Sequence, residues 1–509
     1  MEYWEYRLIK NYTMKCRIYP SKAAEEMILR ILRGVAKAYN KANYEIKNDF
    51  VNTNEFKLED GSTLHYIDYL KVVNKDYLNH LRSLDDDIAY VPASALSGQS
   101  GAFMRDHQRA MSHKVVYKIT KSGIKKKTHE RQPRTKGNSC KPYAVEQTDV
   151  SFYNGRHPRT SYTYQLVLHG AIKSSETNPN VFYIRLGSSQ QFGEKYYVKV
   201  RGWNQDIRFG ENHSWNFLEM VQNTKPVKVM VTVSRDNCGD YWISFSLSNV
   251  YKPMPKPNDN AVGIDVGIKD IMITSDGIKY ENKHFKKQEK KHIEQLNKQL
   301  SRSDGWANIE FRKKHKEDKS LKPSKRYLEK EQKLAKVHRD IANKRKHYND
   351  CITHDVVANN SMIAVETLDV IKMNQPKNKA FNSALGDAAM GELLSMLKTK
   401  SEWYGRGFTE VDKFFPSSKR CSCCGYIMPK MPLNVREWKC PKCHTRHDRD
   451  INAAKNIRWY MLVSEYFKTT VPKATFVYDS QARVLAFTDQ KGKVLPIPSD
   501  EEIEKFFSK

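Results

Sequence analysis

The sequence contains no run of apolar residues that approaches the ~18–20 residues needed to cross a bilayer. Its first residues, MEYWEYRLIKNY, include two acids and lack the apolar segment of a secretory signal. No internal repeat is present. These absences predict a soluble cytoplasmic protein with no membrane partner.

Acidic residues are scarce relative to basic ones. The chain has 58 Asp and Glu against 87 Lys and Arg, which gives a net charge of +29. Such an excess favours a polyanionic partner, because a basic surface gains affinity by releasing the counterions condensed on phosphates. Apolar residues make up 39% of the 509 residues, which is enough for packed cores. At about 150 residues per domain, the length predicts three to four domains.

The first half of the chain changes its pattern several times. Residues 12–20 have the pattern of a strand, and residues 21–110 are mostly of helical pattern. The basic segment 113–141 fits a solvated loop and a phosphate-contacting arm equally well. From 150 to 250, short alternating runs separated by turn residues predict an antiparallel barrel or sandwich. The proline-rich stretch 252–260 reads as a linker.

The second half begins with VGIDVGIKDIMITSDGIKY, which predicts two strands joined by a Ser-Asp-Gly turn. Residues 283–347 are helical in pattern and carry 22 Lys or Arg against 9 acids. This imbalance favours helices that lie along a nucleic-acid backbone over a merely solvated helical face. A strand is predicted at 361–369, a helix at 382–404 and a strand at 407–415.

Four of the nine cysteines form two CxxC pairs, Cys421 with Cys424 and Cys440 with Cys443, separated by 15 residues. Each pair can occupy one edge of a tetrahedral metal ion, so the spacing predicts a structural zinc site. A redox dithiol would need only one pair. Cys423 lies inside the first pair and is the alternative ligand. A site closed by four thiolates leaves no open position for catalysis.

Three acids occur in unusual contexts. Asp265 lies in the aliphatic strand GIDVG, Glu366 ends the aliphatic strand IAVE, and Asp450 precedes NAAKNI, whose small residues allow a helix to approach a sheet closely. Any one of them alone is more often a cap or a strand-end acid. Three converging carboxylates would repel one another unless they share divalent cations. Two Mg²⁺ ions would activate a water and stabilise the leaving oxygen of a phosphodiester.

These motifs resemble those of a known family. GIDVG, VETLD and DRDINAAKNI are similar to the three motifs of RuvC-like nuclease domains, which have the RNase H fold. The stretch SSKRCSCCG…VREWKCPKCHTRHDRDINAAKNI resembles the transposon-encoded TnpB nucleases and the type V CRISPR effectors, especially the miniature type V-F group. The resemblance is most specific over roughly 260–457.

The resemblance implies roles for individual residues. The catalytic acids and magnesium ligands would be Asp265, Glu366 and Asp450, and the cysteine pairs would bind zinc. Arg436, in VREWKC, would contact nucleic acid near the active site. Further contacts are expected from lysines and an arginine of the basic helices: Lys286, Lys287, Lys290, Lys291, Arg312, Lys313 and Lys314.

The implied fold is multidomain α+β, with a β-barrel wedge domain, an inserted helical recognition domain, and an RNase H-like (RuvC) α/β domain that carries an inserted zinc ribbon. In the N-terminal half, the expected divisions are the wedge's first strand at 1–20, the recognition domain at 21–145, the wedge barrel at 146–251 and the linker at 252–260. The first part of the nuclease domain is expected at 261–415, with its basic helical insertion at 283–347. A zinc-ribbon target-nucleic-acid-binding domain is expected at 416–446, and the last part of the nuclease domain with the tail at 447–509.

The implied function is that of a bacterial or archaeal RNA-guided DNA endonuclease. A guide RNA would pair with target DNA beside a short flanking motif, and one two-metal site would cut both strands. A transposon-encoded TnpB-type nuclease, an unguided RNase H-fold transposase or resolvase, and a non-catalytic binder are the alternatives. The resemblance leaves both a monomer and a homodimer on one guide RNA open.

Overall fold

A computed structural model describes residues 4–53, 55–57, 63–65, 82–96, 115–120, 123–128, 161–186, 196–210, 212–224, 226–303, 324–368, 379–432, 434–471, 473–479 and 484–507. The chain divides into two compact units, which are considered separately. The N-terminal unit comprises Leu8–Lys252 and Gln299–Lys336, and the C-terminal unit comprises Met1–Arg7, Pro253–Lys298 and Val337–Lys509. In these ranges, no helix combines the length and the apolar character needed to span a membrane.

The elements up to residue 255 are mostly strands. The strands are β1 (Trp4–Tyr19), β2 (Glu55–Lys57), β3 (Thr63–His65), β4 (Val115–Thr120), β5 (Gly123–Thr128), β6 (Ser161–Val167), β7 (Ile172–Ser174), β8 (Val181–Arg185), β9 (Tyr197–Arg201), β10 (Lys228–Arg235) and β11 (Tyr241–Pro255). The helices are α1 (Lys22–Thr53), α2 (Asp86–Ala89), α3 (Ala93–Leu96) and α4 (Phe217–Asn223).

Seven of these strands form one curled sheet in the order β6-β10-β11-β1-β9-β8-β7. The sheet is antiparallel from β6 to β11 and from β1 to β7. Residues alternate between buried and more exposed along β6, where Tyr162, Tyr164 and Leu166 face the core, because successive side chains of a strand point to opposite faces. Only a half-barrel is formed by the described strands, whereas the sequence pattern predicted a barrel or sandwich.

The predicted helical region 21–110 is only partly helical. Helix α1 begins after Ser21, whose hydroxyl accepts a hydrogen bond from the Ala24 amide at 3.2 Å. After α1, however, β2 and β3 form a short hairpin. The basic segment 113–141 contains a second hairpin, β4 with β5, in its described part. The local charge pattern did not distinguish this hairpin from a loop.

The part of the chain from residue 261 onward contains both strands and helices in more equal numbers. The strands are β12 (Ala261–Asp265), β13 (Asp270–Thr274), β14 (Lys279–Glu281), β15 (Met362–Val365), β16 (Gly407–Glu410), β17 (Glu437–Lys439), β18 (Arg446–Asp448), β19 (Thr475–Asp479), β20 (Val484–Thr488) and β21 (Val494–Leu495). The helices are α5 (Phe285–Gln288), α6 (Lys290–Ser301), α7 (Lys325–Asn359), α8 (Lys379–Ala388), α9 (Met390–Tyr404), α10 (Arg449–Thr470) and α11 (Asp500–Phe507).

The C-terminal unit is organised by a five-stranded sheet with the order β14-β13-β12-β15-β16. Strand β12 pairs antiparallel with β13 and parallel with β15, and β15 pairs parallel with β16. The central strands are almost wholly apolar, and residues 262–264 and 363–365 are buried. Such near-continuous apolar runs are typical of strands that are covered on both faces.

Helix α10 lies directly against β12 at Gly263. A Cβ atom added to Gly263 would be 2.1 Å from the Ala454 carbonyl oxygen and 2.3 Å from the Arg458 amide nitrogen. Ala453 and Ala454 are themselves buried. Because Gly263 has no side chain and the helix residue Ala454 has only a methyl group, the helix backbone reaches the strand backbone.

Two predicted elements of this unit differ in detail. Residues 261–281 form three strands, not two, because the chain turns after Asp265 as well as at the predicted Ser-Asp-Gly turn. The predicted helix over 382–404 is two helices, α8 and α9, since Ala389 adopts a left-handed conformation with φ of 49°. Alanine is a strong helix former, so composition gave no signal for this break.

We expect Gly263→Ala to destabilise the protein, because the added methyl group overlaps the α10 backbone and overpacking typically costs about 1–3 kcal/mol. Gly386→Ala is the matched control, since a Cβ there meets no atom within 4 Å and alanine is favoured over glycine inside a helix. Thermal unfolding should show a lower Tm for Gly263→Ala and an unchanged or higher Tm for Gly386→Ala. Equal Tm values would contradict the close backbone contact.

Candidate active site and metal centre

Two of the predicted acids lie side by side at the ends of adjacent parallel strands. Ile264 of β12 is paired with Val365 of β15, so the next residues, Asp265 and Glu366, emerge at the same edge of the sheet. Since the carboxyl ends of parallel strands meet at one edge, this is where α/β sheets generally hold their functional side chains.

The third acid is supplied by the first turn of α10. The Asp448 carboxylate caps this helix, and its Oδ1 accepts hydrogen bonds from the amides of Asp450 and Ile451, both at 3.0 Å. Asp450 therefore lies in the first turn of the helix that contacts β12 at Gly263, and Gly263 is two residues before Asp265. The other carboxylate oxygen of Asp448, Oδ2, forms an ion pair with the Lys279 ammonium at 2.6 Å.

The three carboxylates influence one another electrostatically. Burial raises the pKa of Asp265 well above its usual range, and the negative charges of Glu366 and Asp450 raise it further. Burial also raises the pKa of Glu366, although a hydrogen bond from Ser417 and the charge of Arg449 oppose this rise. A cation beside Asp265 would therefore stabilise its charged form.

Besides Arg449, whose charge also acts on Asp265, Arg436 forms an ion pair with this group. Its Nη1 lies 3.2 Å from Asp450 Oδ2, and its side chain is 62% exposed, whereas that of Asp450 is 22% exposed. An exposed surface pair of this kind contributes little to stability. Separating Arg436 from Asp450 therefore costs little free energy.

A hydrogen-bonded loop that the sequence analysis missed holds Glu366. The Ser417 hydroxyl donates to Glu366 Oε1 at 2.9 Å, and the Asn456 side-chain amide donates to the Ser417 carbonyl oxygen at 2.8 Å. Arg420 donates to Asn456 Oδ1 at 2.8 Å, and its guanidinium lies 3.7 Å from the centre of the Trp459 ring. Ser417, Arg420 and Asn456 are all buried, so Glu366 is fixed through α10 as well as through its own strand.

A second asparagine of α10 holds the cysteine loop. Asn452 Nδ2 donates to the Arg420 carbonyl oxygen at 2.8 Å, and its Oδ1 accepts from the Ser422 amide at 2.9 Å. The only sequence signal for these contacts was the pair of asparagines in DINAAKNI, four residues apart on one helix face.

The four predicted cysteines converge. The Sγ atoms of Cys421, Cys424, Cys440 and Cys443 all lie within 4.8 Å of one another. In the described ranges, these four side chains form a group that could hold a metal ion. The alternative ligand Cys423 is exposed and outside this group. Four thiolates at this spacing suit a tetrahedral zinc ion. In addition, the His447 ring nitrogen Nε2 lies 3.1 Å from Cys421 Sγ.

The predicted nucleic-acid contacts are only partly described. Lys286, Lys287, Lys290 and Lys291 are exposed on or beside α5 and α6, and Lys290 lies 3.8 Å from Glu294. Arg312, Lys313 and Lys314 lie outside the described residues.

Two family models match the chain. The Cas12f1-like TNB domain matches residues 391–457, and OrfB_IS605, a probable transposase, matches residues 228–376. A protein of Streptomyces pristinaespiralis named "Putative RNA-guided DNA endonuclease" is 37% identical over 228 residues, or 45% of this chain and 51% of the relative. InsQ of Escherichia coli K12, which carries the same description, is 24% identical over 57% of this chain and 73% of the relative. These matches confirm the predicted resemblance.

The chain spans about half the length of the first of these relatives. Among solved structures, a Cas12f1-sgRNA-target DNA complex is 15% identical and aligns over 88% of this chain and 99% of the other, with a TM-score of 0.26. A CRISPR-Cas12f ternary complex is 16% identical over 85% of this chain and 81% of the other, with a TM-score of 0.28.

Metal analysis of the purified protein should find one tightly held zinc per chain, because four thiolates close its coordination. We expect Cys440→Ser to lose that zinc, since Cys440 is buried in the group. Cys423→Ser, which removes the exposed neighbouring thiol, should retain it. Loss of zinc from Cys423→Ser would show that the ligand set is shifted within the first pair.

Proposed function

We propose that this chain, a relative of the TnpB/OrfB_IS605 family with a Cas12f1-like TNB domain, is an RNA-guided DNA endonuclease. The observation that carries the proposal is that Asp265 and Glu366 emerge at one sheet edge, where the charges of Glu366 and Asp450 both raise the pKa of Asp265. The net charge of +29 supports a nucleic-acid substrate.

The site would hold magnesium. All three acids offer oxygen ligands, which Mg²⁺ prefers, and the raised pKa of Asp265 marks a place where added positive charge is favourable. Two such ions, when bound, supply an activated water and charge neutralisation at the leaving oxygen. The order β14-β13-β12-β15-β16, with three antiparallel strands followed by two parallel ones, supports an RNase H-like nuclease domain.

The residues of this chain would position the substrate phosphate. Asp265 and Glu366 are fixed by their strands, and Ser417 orients the Glu366 carboxylate through its hydrogen bond. Arg436 is exposed beside Asp450 and would bind the scissile phosphate as a charge-assisted donor. Guide RNA would lie on the basic helices and pair with the target, while the protein would read a short flanking motif.

An unguided transposase or resolvase is the second candidate, because the matched OrfB_IS605 model is itself described as a probable transposase. The two functions differ in the nucleic acid that accompanies the protein. We expect a discrete structured RNA to copurify with an RNA-guided enzyme, and purification without RNA would favour the unguided enzyme.

Replacing any one of the three acids with alanine, as Asp265→Ala, Glu366→Ala or Asp450→Ala, should abolish DNA cleavage because metal ligation is needed for the chemical step. RNA binding should remain close to that of the wild type. Asp448→Asn is the matched control: asparagine caps helices about as well as aspartate, so cleavage should persist. If Asp448→Asn lost cleavage and Asp450→Ala retained it, the third catalytic acid would be Asp448 and not Asp450.

The exposed lysines of α5 should contact phosphates of the guide or the heteroduplex. For the double variant Lys286→Gln/Lys287→Gln we expect weaker RNA binding for two unrelated guides alike, because backbone contacts carry no sequence information. Each lost phosphate contact should also flatten the plot of log affinity against log salt by about 0.7–0.9. Filter binding at several salt concentrations measures both effects.

The matched control is Lys491→Gln/Lys493→Gln, which removes the same charge from two exposed lysines in the tail. Its salt slope should stay near that of the wild type. An unchanged slope in the α5 variant would show that this part of the basic segment is a solvated face.

A further inference from the structure

Two consecutive phenylalanines between β16 and the cysteine group have opposite environments. Phe415 is buried, and its ring centre lies 4.9 Å from that of Tyr460 and 5.9 Å from that of Phe476. Phe414 is 72% exposed, the largest value among the exposed large apolar side chains of the described chain. A single exposed apolar residue is common, so the significance of Phe414 depends on where it lies.

The backbone that carries Phe414 is fixed. Asp412 Oδ1 accepts a hydrogen bond from the Phe414 amide at 2.8 Å, and the Asp412 carbonyl oxygen accepts one from the Phe415 amide at 3.0 Å. The next side chain is anchored in the core. The exposed ring is therefore presented by a structured turn, which limits the entropy lost when a ligand binds to it.

This turn leads directly into the active site. Ser417, three residues after Phe414, donates its hydroxyl to Glu366. Three residues of chain span at most ~10 Å. A strand of a few nucleotides is therefore long enough to contact both Phe414 and the Glu366 carboxylate. The neighbouring Lys413 is exposed and Lys419 is partly exposed, so two cations flank the turn, together with the exposed acid Asp412.

An exposed aromatic ring among lysines matches the chemistry of single-stranded nucleic acid. Bases stack on aromatic side chains whatever their identity, because every base has a π-face, and cationic side chains follow the backbone. A protein helix or membrane would bury an apolar patch, whereas the turn that carries this ring also carries Asp412, Lys413 and Lys419. The charge complementarity favours a DNA strand.

We propose that Phe414 is a stacking platform for one nucleobase of the single-stranded DNA whose phosphodiester enters the carboxylate site. This inference rests on the proposed nuclease function and names a base-binding subsite of that site. Stacking there would fix the position of the DNA strand relative to Glu366, and it would not select for the sequence of that strand. Base stacking of this kind is worth about 5- to 150-fold in binding.

The test scans an abasic nucleotide through the positions that flank the cut. Wild-type cleavage should fall by about 5- to 150-fold when one particular base is absent. Phe414→Ala should cleave intact DNA more slowly by a similar factor and should be insensitive to the same abasic position. Phe414→Trp should restore both rate and sensitivity, whereas Phe414→Leu, which is apolar but cannot stack, should behave like Phe414→Ala.

Val494→Ala is the matched control, because Val494 is also highly exposed and apolar, at 63%. It should behave like the wild type, and none of these variants should change the Tm. A wild-type enzyme that tolerates abasic nucleotides at every position, or a Phe414→Ala variant that keeps the sensitivity, would overturn the subsite.

A measurement of binding separates this inference from the nuclease proposal. Single-stranded DNA that carries 2-aminopurine should lose fluorescence when that base stacks on Phe414, and Phe414→Ala should abolish the quenching. If the wild type cuts no DNA but shows this quenching, the nuclease proposal fails while the subsite stands. If it cuts DNA but quenches at no position, the subsite alone fails.

Discussion

The arrangement of the candidate site depends on the contact between Gly263 and the backbone of α10. Without that contact, Asp450 would lie farther from the sheet edge where Asp265 and Glu366 emerge, because any larger residue at 263 would collide with Ala454. The same helix face carries Asn452 and Asn456, which bond to the loop that holds Glu366. One closely packed helix therefore carries Asp450 and supports the loop that bonds to Glu366.

The cysteine group and the carboxylates are parts of one structural unit. Arg420 is adjacent to Cys421 in the chain, bonds to Asn456 and contacts the Trp459 ring, and Ser417 reaches Glu366 from the same loop. A disturbance at the cysteines would thus reach Glu366 through buried hydrogen bonds, which are costly to leave unmade. A ribbon without catalytic chemistry of its own can still determine whether the acids are correctly placed.

The sequence predicted the residues whose neighbours in the chain give them a distinctive chemical context. It missed the residues whose roles depend only on the three-dimensional arrangement. Paired cysteines carry a local signal, and the structure brings all four together. Acids at the ends of apolar strands carry one too, and Asp265 and Glu366 follow paired residues of adjacent parallel strands. The hydroxyl of Ser417 and the left-handed turn at Ala389 have no such signal, since their roles depend on neighbours distant in sequence. The break between β12 and β13 was missed because aliphatic residues continue on both sides of it.

The pairing of β12 with β15 has a consequence for the synthesis of the protein. About a hundred residues separate these two strands, and Asp450 follows later still. Contacts between distant parts of a chain form slowly and require both partners to be present. While the ribosome is still making the C-terminal part, the emerging chain already displays much of its basic surface but has not yet acquired Asp450. In the proposed nuclease, much of the basic surface would therefore exist before the set of three acids is complete.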